Sequence, residues 1–169
     1  MTLPAKRPCD HAYVLKIQGR DLQPAPLPPP PGIGPEVGGK FILRASDANI
    51  HGDTPQYEKG GDKDQIGHWA DPQDYVSWDL QVTPAGSYDV TITYSCQPGA
   101  EGSRFTVEVA GQKLTADSKP TQSWSTYRTE SLGKITFEKP GSYALAVKPS
   151  ADPKWRVIGL KDITLSPVR

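Results

Sequence analysis

Three stretches of the sequence carry residue types that could do chemistry. In TQSWSTYRTE, residues 121–130, Trp124 stands in a polar turn with no apolar residue one or two positions away on either side. Such an indole is either covered by a distant part of the fold or left as a flat apolar platform. In DPKWRVIG, residues 152–159, Trp155 and Arg156 occupy a similar polar, turn-rich setting. The segment HGDTPQYEKGGDKDQIGHW, residues 51–69, sets Tyr57 beside Glu58 and gathers His51, Asp53, Asp62, Asp64 and His68 around them. Flat rings next to hydrogen-bonding groups suit a sugar, which presents a C–H face and a ring of hydroxyls.

Other chemistries find less support. The charged segment contains neither H-E-x-x-H nor EF-hand spacing, so it reads as a solvated loop and no metal site is expected. Glycoside hydrolysis needs two carboxylates held across a cleft, and a nucleophilic triad needs Ser, His and Asp converging. Nothing in the spacing groups such sets, so the isolated chain is not expected to be an enzyme. Lys plus Arg equals Asp plus Glu at 19 each in 169 residues, giving a net charge of zero. That balance and the lack of basic runs argue against nucleic acid as a partner. No apolar stretch is long enough to span a bilayer, and the Met1 end lacks the apolar core of a signal peptide. The chain therefore reads as a piece of something larger. The two cysteines, Cys9 and Cys96, make no disulfide framework or zinc spacing, and Cys96 reads as a buried free thiol.

The elements that must position these residues are strands. Val76, Trp78, Leu80 and Val82 share one face of a period-2 alternation, as do Tyr88, Val90, Ile92 and Tyr94. Phe105, Val107 and Val109 repeat the pattern, followed by Ile135 and Phe137, then Tyr143, Leu145 and Val147. The last run, VIGLKDITL, changes phase between Leu160 and Ile163, which predicts a bulge. Turn sequences such as TPAGS, VAGQK and EKPGS separate the runs, and no window of helical periodicity competes. Eight or more short strands predict an all-β fold, a jelly-roll β-sandwich of antiparallel strands, over 40–169. In this pattern Trp78 is core and Trp69 a packing residue. Residues 24–39, PAPLPPPPGIGPEVGG, read as an extended Pro/Gly-rich linker. Residues 1–23, with Tyr13, Leu15 and Ile17 alternating, read as the terminal strand of a preceding domain or as an arm.

The order IGHWADPQDYVSWDLQVTPAGSYDVTITYSC, GSRFTVEVAGQKL, SWSTYRTESLGKITFEKPGSYALAVKP resembles the carbohydrate-binding modules of the family 6 and family 35 type. It is similar as well to the C-terminal β-sandwich modules of bacterial α-L-fucosidases and sulfatases, whose domains open with a phrase like ASDANIHGDTPQYE. The front piece TLPAKRPCDHAYVLKIQG resembles the closing strand of a fucosidase of glycoside hydrolase family 29. The resemblance implies a sugar site at one end of the sandwich, made by an early aromatic, a loop Trp and an Asn near the last strand. Tyr57 stands at the early aromatic, with Glu58 beside it, and Trp124 stands at the loop Trp, with Tyr127 three residues on. The Asn position falls near Gly159, and Trp155 with Arg156 just before it could substitute. Carboxylates of the family's calcium site fall close to Arg44, Ser46 and Lys161, so no equivalent site and no cofactor is expected.

The leading expectation is a non-catalytic module that binds a polysaccharide or oligosaccharide, fucose-containing glycans among them. It would target an attached glycoside hydrolase such as an α-L-fucosidase, in a secreted or periplasmic setting. The competing reading is a structural accessory domain that packs on its catalytic neighbour without binding sugar, its loop aromatics buried against that neighbour.

Overall fold

The structure, a computed structural model, describes residues 31–151 and 155–168. The expected strand around Tyr13, Leu15 and Ile17, Cys9, and the expected linker up to residue 30 lie outside the described residues.

Among the described residues eleven strands follow in chain order. They are β1 (Phe41–Arg44), β2 (Asn49–His51), β3 (Gln56–Gly60), β4 (Lys63–Gly67), β5 (Tyr75–Val82) and β6 (Gly86–Ser95). After them come β7 (Arg104–Val109), β8 (Gln112–Asp117), β9 (Arg128–Phe137), β10 (Gly141–Pro149) and β11 (Gly159–Pro167). A single 3-10 turn over Ala45–Asp47 interrupts them, and no helix among the described residues is long and apolar enough to cross a membrane. One sheet runs β3-β4-β11-β6-β9, with β1 also paired to β11, and the other runs β2-β5-β10-β7-β8. All these named strand pairs are antiparallel. The protein is a jelly-roll β-sandwich, as the alternation predicts.

The residues that alternate in the sequence meet between the sheets. Val76, Trp78, Leu80, Val82, Val90, Ile92, Tyr94, Phe105, Leu145 and Val147 are all buried, and Tyr143 packs half-buried against them. Burying each large apolar side chain contributes about 1.5–3 kcal/mol, so this interlocked layer is the main source of stability. Trp78 tethers its indole N–H to the carbonyl of Arg44 at 2.8 Å, which keeps its polar atom satisfied inside the core. Trp69 is fully buried, and Cys96 is a buried free thiol. The phase change in the last strand is a register shift between Leu160 and Asp162 opposite β6.

The spacer ends sooner than the proline content suggests. Ile33 donates its amide to the Asp79 carbonyl at 2.7 Å and accepts from the Gln81 amide at 2.9 Å, bridging to Leu80. Residues 32 and 33 thus continue the edge of β5 beyond the end of β2. Proline withholds an amide donor, but the single Ile between glycines retains one and uses it.

Candidate functional site

The hairpin β3–β4 forms one wall of a groove. Its register pairs Glu58 with Gln65, Gln56 with Gly67 and Gly60 with Lys63, so the side chains of Glu58, Lys63 and Gln65 share one face. Tyr57 and Asp64 project from the other face. The floor is the chain entering β11, Val157, Ile158 and Gly159, and the second wall carries Trp124. His68, whose backbone takes a left-handed φ of 56°, completes the lining of a groove of about 240 Å³.

Hydroxyl groups shape the turn that carries Trp124. The Thr121 amide donates to the Cys96 carbonyl at 2.6 Å, and the Thr121 hydroxyl accepts from the Cys96 amide at 3.0 Å. Ser123 and Thr126 hydroxyls lie 3.0 Å apart, and the Ser125 amide donates to the Ser123 hydroxyl at 3.2 Å. These bonds, two of them from a backbone amide to a side-chain hydroxyl, hold the turn without apolar neighbours. Below it, the Tyr94 phenol donates to Glu130 at 3.1 Å and accepts from the Lys119 amide at 2.9 Å. Lys119 and Arg128 each lie 2.8 Å from Glu130, and thus both ends of the loop are anchored to one carboxylate. Burial opposes ionisation of Glu130, but hydrogen bonds from Lys119 and Tyr94 and the Arg128 charge outweigh it and lower its pKa. Burial, and beyond it the neighbouring Glu130, pushes the Tyr94 phenol up to about 12.

Polar contacts inside the groove converge on Glu58. Lys63 Nζ donates to Oε1 at 3.0 Å, Gln65 Nε2 donates to Oε2 at 2.8 Å, and His68 Nε2 lies 3.3 Å from Oε1. Burial alone would raise the Glu58 pKa; the bonds from Gln65 and Lys63, with the charges of Lys63 and His68, reverse this and hold it below the usual carboxylate range. Glu58 is the one carboxylate lining the groove among the described residues.

The five residues singled out in the sequence fall in different places. Glu58 and Trp124 share the groove. Tyr57 is exposed at 38% on the opposite face of β3, where its hydroxyl donates to Asp64 at 2.8 Å. Tyr127 stands nearby: its hydroxyl accepts from the Asp64 amide at 3.2 Å and its ring lies 4.5 Å below Lys161 Nζ. Trp155 does not present a platform, which corrects the reading of its polar neighbours. It is 5% exposed, its indole N–H donates to the Trp69 carbonyl at 2.7 Å, and its ring meets Trp69 edge-on. Arg156 is exposed but clasps the loop before β7: its Nη1 donates to the Gly99 carbonyl at 2.8 Å and its amide to Ser103 Oγ at 2.7 Å. It positions the segment that continues into the groove floor. Gly159, noted as the place of a missing Asn, lines the groove. Lys63, Gln65 and Gly67 also line the groove; their alternation after the turn at Gly60 and Gly61 marks a strand face but not a ligand-facing one.

No group of three or more His, Cys, Asp or Glu side chains able to hold a metal ion occurs among the described residues. His51 is drawn away to Ser77 at 2.8 Å and stacks on Tyr75. Arg44 lies 2.7 Å from Glu36 and pairs in register with Asp162.

The family model described as Domain of unknown function (DUF5077) matches residues 49–167. No curated protein matches the chain. Among solved structures, a family 35 carbohydrate-binding module from Clostridium thermocellum superposes with a TM-score of 0.61 at 14% identity, over 74% of this chain and 97% of that one. A GH26-CBM35 β-(1,4)-mannanase from Podospora anserina gives 0.60 at 18% identity, over 78% of this chain and 28% of the mannanase. A cycloalternan-forming enzyme from Listeria monocytogenes, solved with a pentasaccharide substrate, gives 0.60 at 17%, over 73% of this chain and 11% of the enzyme. These likenesses establish a shared fold, and the chain spans a minor part of both enzymes.

Proposed function

The chain belongs to the family described as Domain of unknown function (DUF5077), and from its groove we propose that it is a non-catalytic carbohydrate-binding module. The observation that carries this reading is the union, in one groove of about 240 Å³, of the Trp124 indole with Glu58, Lys63 and His68. An indole matches the C–H face of a pyranose, while the charged groups accept from and donate to its hydroxyls. The volume lies below the roughly 300 Å³ at which drug-sized pockets begin, so it suits a single sugar unit with the chain continuing into solvent. One carboxylate supports binding over hydrolysis, because glycoside cleavage takes two.

The module works in tandem with a glycoside hydrolase, delivering it to a polysaccharide outside the cytoplasm. The attachment to a glycoside hydrolase draws support from the family 35 modules and the mannanase that share its fold. The sequence resemblance makes an α-L-fucosidase one candidate for the attached enzyme and fucosylated glycans one candidate ligand. A glycan array probed with wild type and Trp124→Ala, fucosylated, mannan and galactan chains included, tests the reading. Retention of one glycan class by wild type and its loss in the variant is expected. Absence of retention across the array overturns the proposal and leaves the structural accessory domain.

A further inference from the structure

We propose that Ser95 and Gln65 form a buried relay that positions Glu58, so that the groove takes an uncharged sugar presenting two adjacent free hydroxyls; this rests on the sugar-binding reading above.

The polarity of the relay follows from the inventory of donors and acceptors. Ionised Glu58 has no proton to give, so the Gln65 amide must turn its NH₂ toward Oε2, which it does at 2.8 Å. The Gln65 carbonyl oxygen then faces inward, and Ser95 Oγ donates to it at 2.8 Å. Gln65 is 1% exposed and Ser95 is fully buried. Burying two polar side chains is unfavourable unless each is paired, and this chain of donors runs from the sheet to the groove.

The backbone is cut to fit it. A Cβ at Gly159 would overlap Gln65 Oε1 and Ser95 Oγ, and a Cβ at Gly67 would overlap Glu58 Oε2. Neither glycine has a positive φ, so what their side-chain-free backbone supplies is close approach. Gly67 ends β4 and Gly159 begins β11, and at these strand ends the two glycines clear space for one carboxylate and its support.

The lone pairs count the ligand's hydroxyls. Each carboxylate oxygen offers about two acceptor sites. Oε1 faces Lys63 and His68, and Oε2 takes Gln65, which leaves one acceptor for a ligand hydroxyl. Lys63 retains donors beyond the one given to Glu58, so a neighbouring hydroxyl can accept from it. Glu58 and Lys63 cancel in charge, so while His68, the other titratable group of the groove beside them, is neutral, a carboxylate or ammonium on the sugar gains little Coulomb attraction. The titratable or charged groups near Glu58 are Lys63 and His68 from β4 and the turn after it, and Tyr127 from the loop before β9. β11 and the chain entering it contribute only the backbone and apolar groups of Val157, Ile158 and Gly159 to the groove.

The test has two readouts on the intact chain. The first is the carboxyl carbon titration of Glu58 by NMR in wild type, Gln65→Met and Ser95→Ala. The relay predicts a Glu58 midpoint below that of an ordinary carboxylate in wild type and a rise in both variants. Melting curves show which variants are folded, and Ser95→Ala keeps the test alive should Gln65→Met not fold. A lowered melting temperature with an unmoved Glu58 midpoint makes the pair merely structural and overturns the relay. The second readout is binding of the methyl glycosides of glucose, galactose, mannose, xylose and fucose, against methyl glucuronide and methyl glucosaminide. At least one neutral glycoside should bind more tightly than either charged one, and Gln65→Met should weaken it by about tenfold. Tighter binding of a charged glycoside overturns the ligand class. Binding of none overturns the sugar reading, while the Glu58 titration still decides the relay.

Discussion

The indole N–H of Trp155 donates to the carbonyl of Trp69 across 2.7 Å, and the two rings meet edge to face with centroids 5.5 Å apart. The pair joins the entry to β11 with the turn before β5, and the Trp69 indole in turn donates to the Asp74 carbonyl at 3.1 Å. Trp155→Ala removes a large buried ring and leaves the Trp69 carbonyl without its donor. A loss of about 3–5 kcal/mol is expected in denaturant unfolding. A loss below about 1 kcal/mol would show that the ring packs less than its burial implies.

Thr121 ties the Trp124 loop to the end of β6 through both backbone groups of Cys96. Thr121→Val keeps the shape and deletes the hydroxyl. The Cys96 amide then lacks an acceptor, at a cost of about 1–2 kcal/mol. Thermal melts should register it. Weaker glycan retention should accompany it, because the turn that presents the indole loosens.

Tyr94 gives the fold an alkaline limit. Its folded-state pKa is raised to about 12, against about 10 in the unfolded chain. The neutral phenol is the form that the core holds, so its contribution is complete below pH 10. It is lost progressively as pH rises through about 12. Stability followed by circular dichroism should fall across that window in wild type and less so in Tyr94→Phe. Equal slopes for both would remove Tyr94 as the cause.

Chelator should leave the melting temperature unchanged. Arg44, Ser46 and Lys161 stand where the sequence resemblance would place calcium-binding carboxylates, and the charges of Lys161 and Arg44 both act on the adjacent Asp162. These cations oppose a divalent ion at that place. A melting point several degrees lower in chelator would reveal an ion held elsewhere.

The fold was legible because alternation is a direct image of a sheet with one buried face. Val76, Trp78, Leu80 and Val82 announce β5, and the slip between Leu160 and Ile163 announces the bulge. The groove was legible only in part. Trp124 stood out because its neighbours could not bury it, and Glu58 came with the charged hairpin. Lys63 and Gln65 alternate too, but polar alternation looks the same whether a face meets solvent or ligand. Trp155 was misread for the opposite reason. Its sequence neighbours are polar, whereas its burial comes from Trp69, 86 positions earlier in the chain. Tyr57 and Glu58 are adjacent in sequence, yet the pleat sends them to opposite faces.

The central claim is that the Trp124 indole binds sugar and does not hold up the fold. The most direct test is the dissociation constant and the melting temperature of Trp124→Ala, measured on one preparation against the glycan that wild type retains. Losing one stacked aromatic should cost about 1–3 kcal/mol of binding, roughly tenfold to more than a hundredfold in affinity. The melting temperature should stay within a few degrees of wild type. A melting temperature that falls as far as that of Trp155→Ala, or an affinity equal to wild type in a folded variant, would contradict the account.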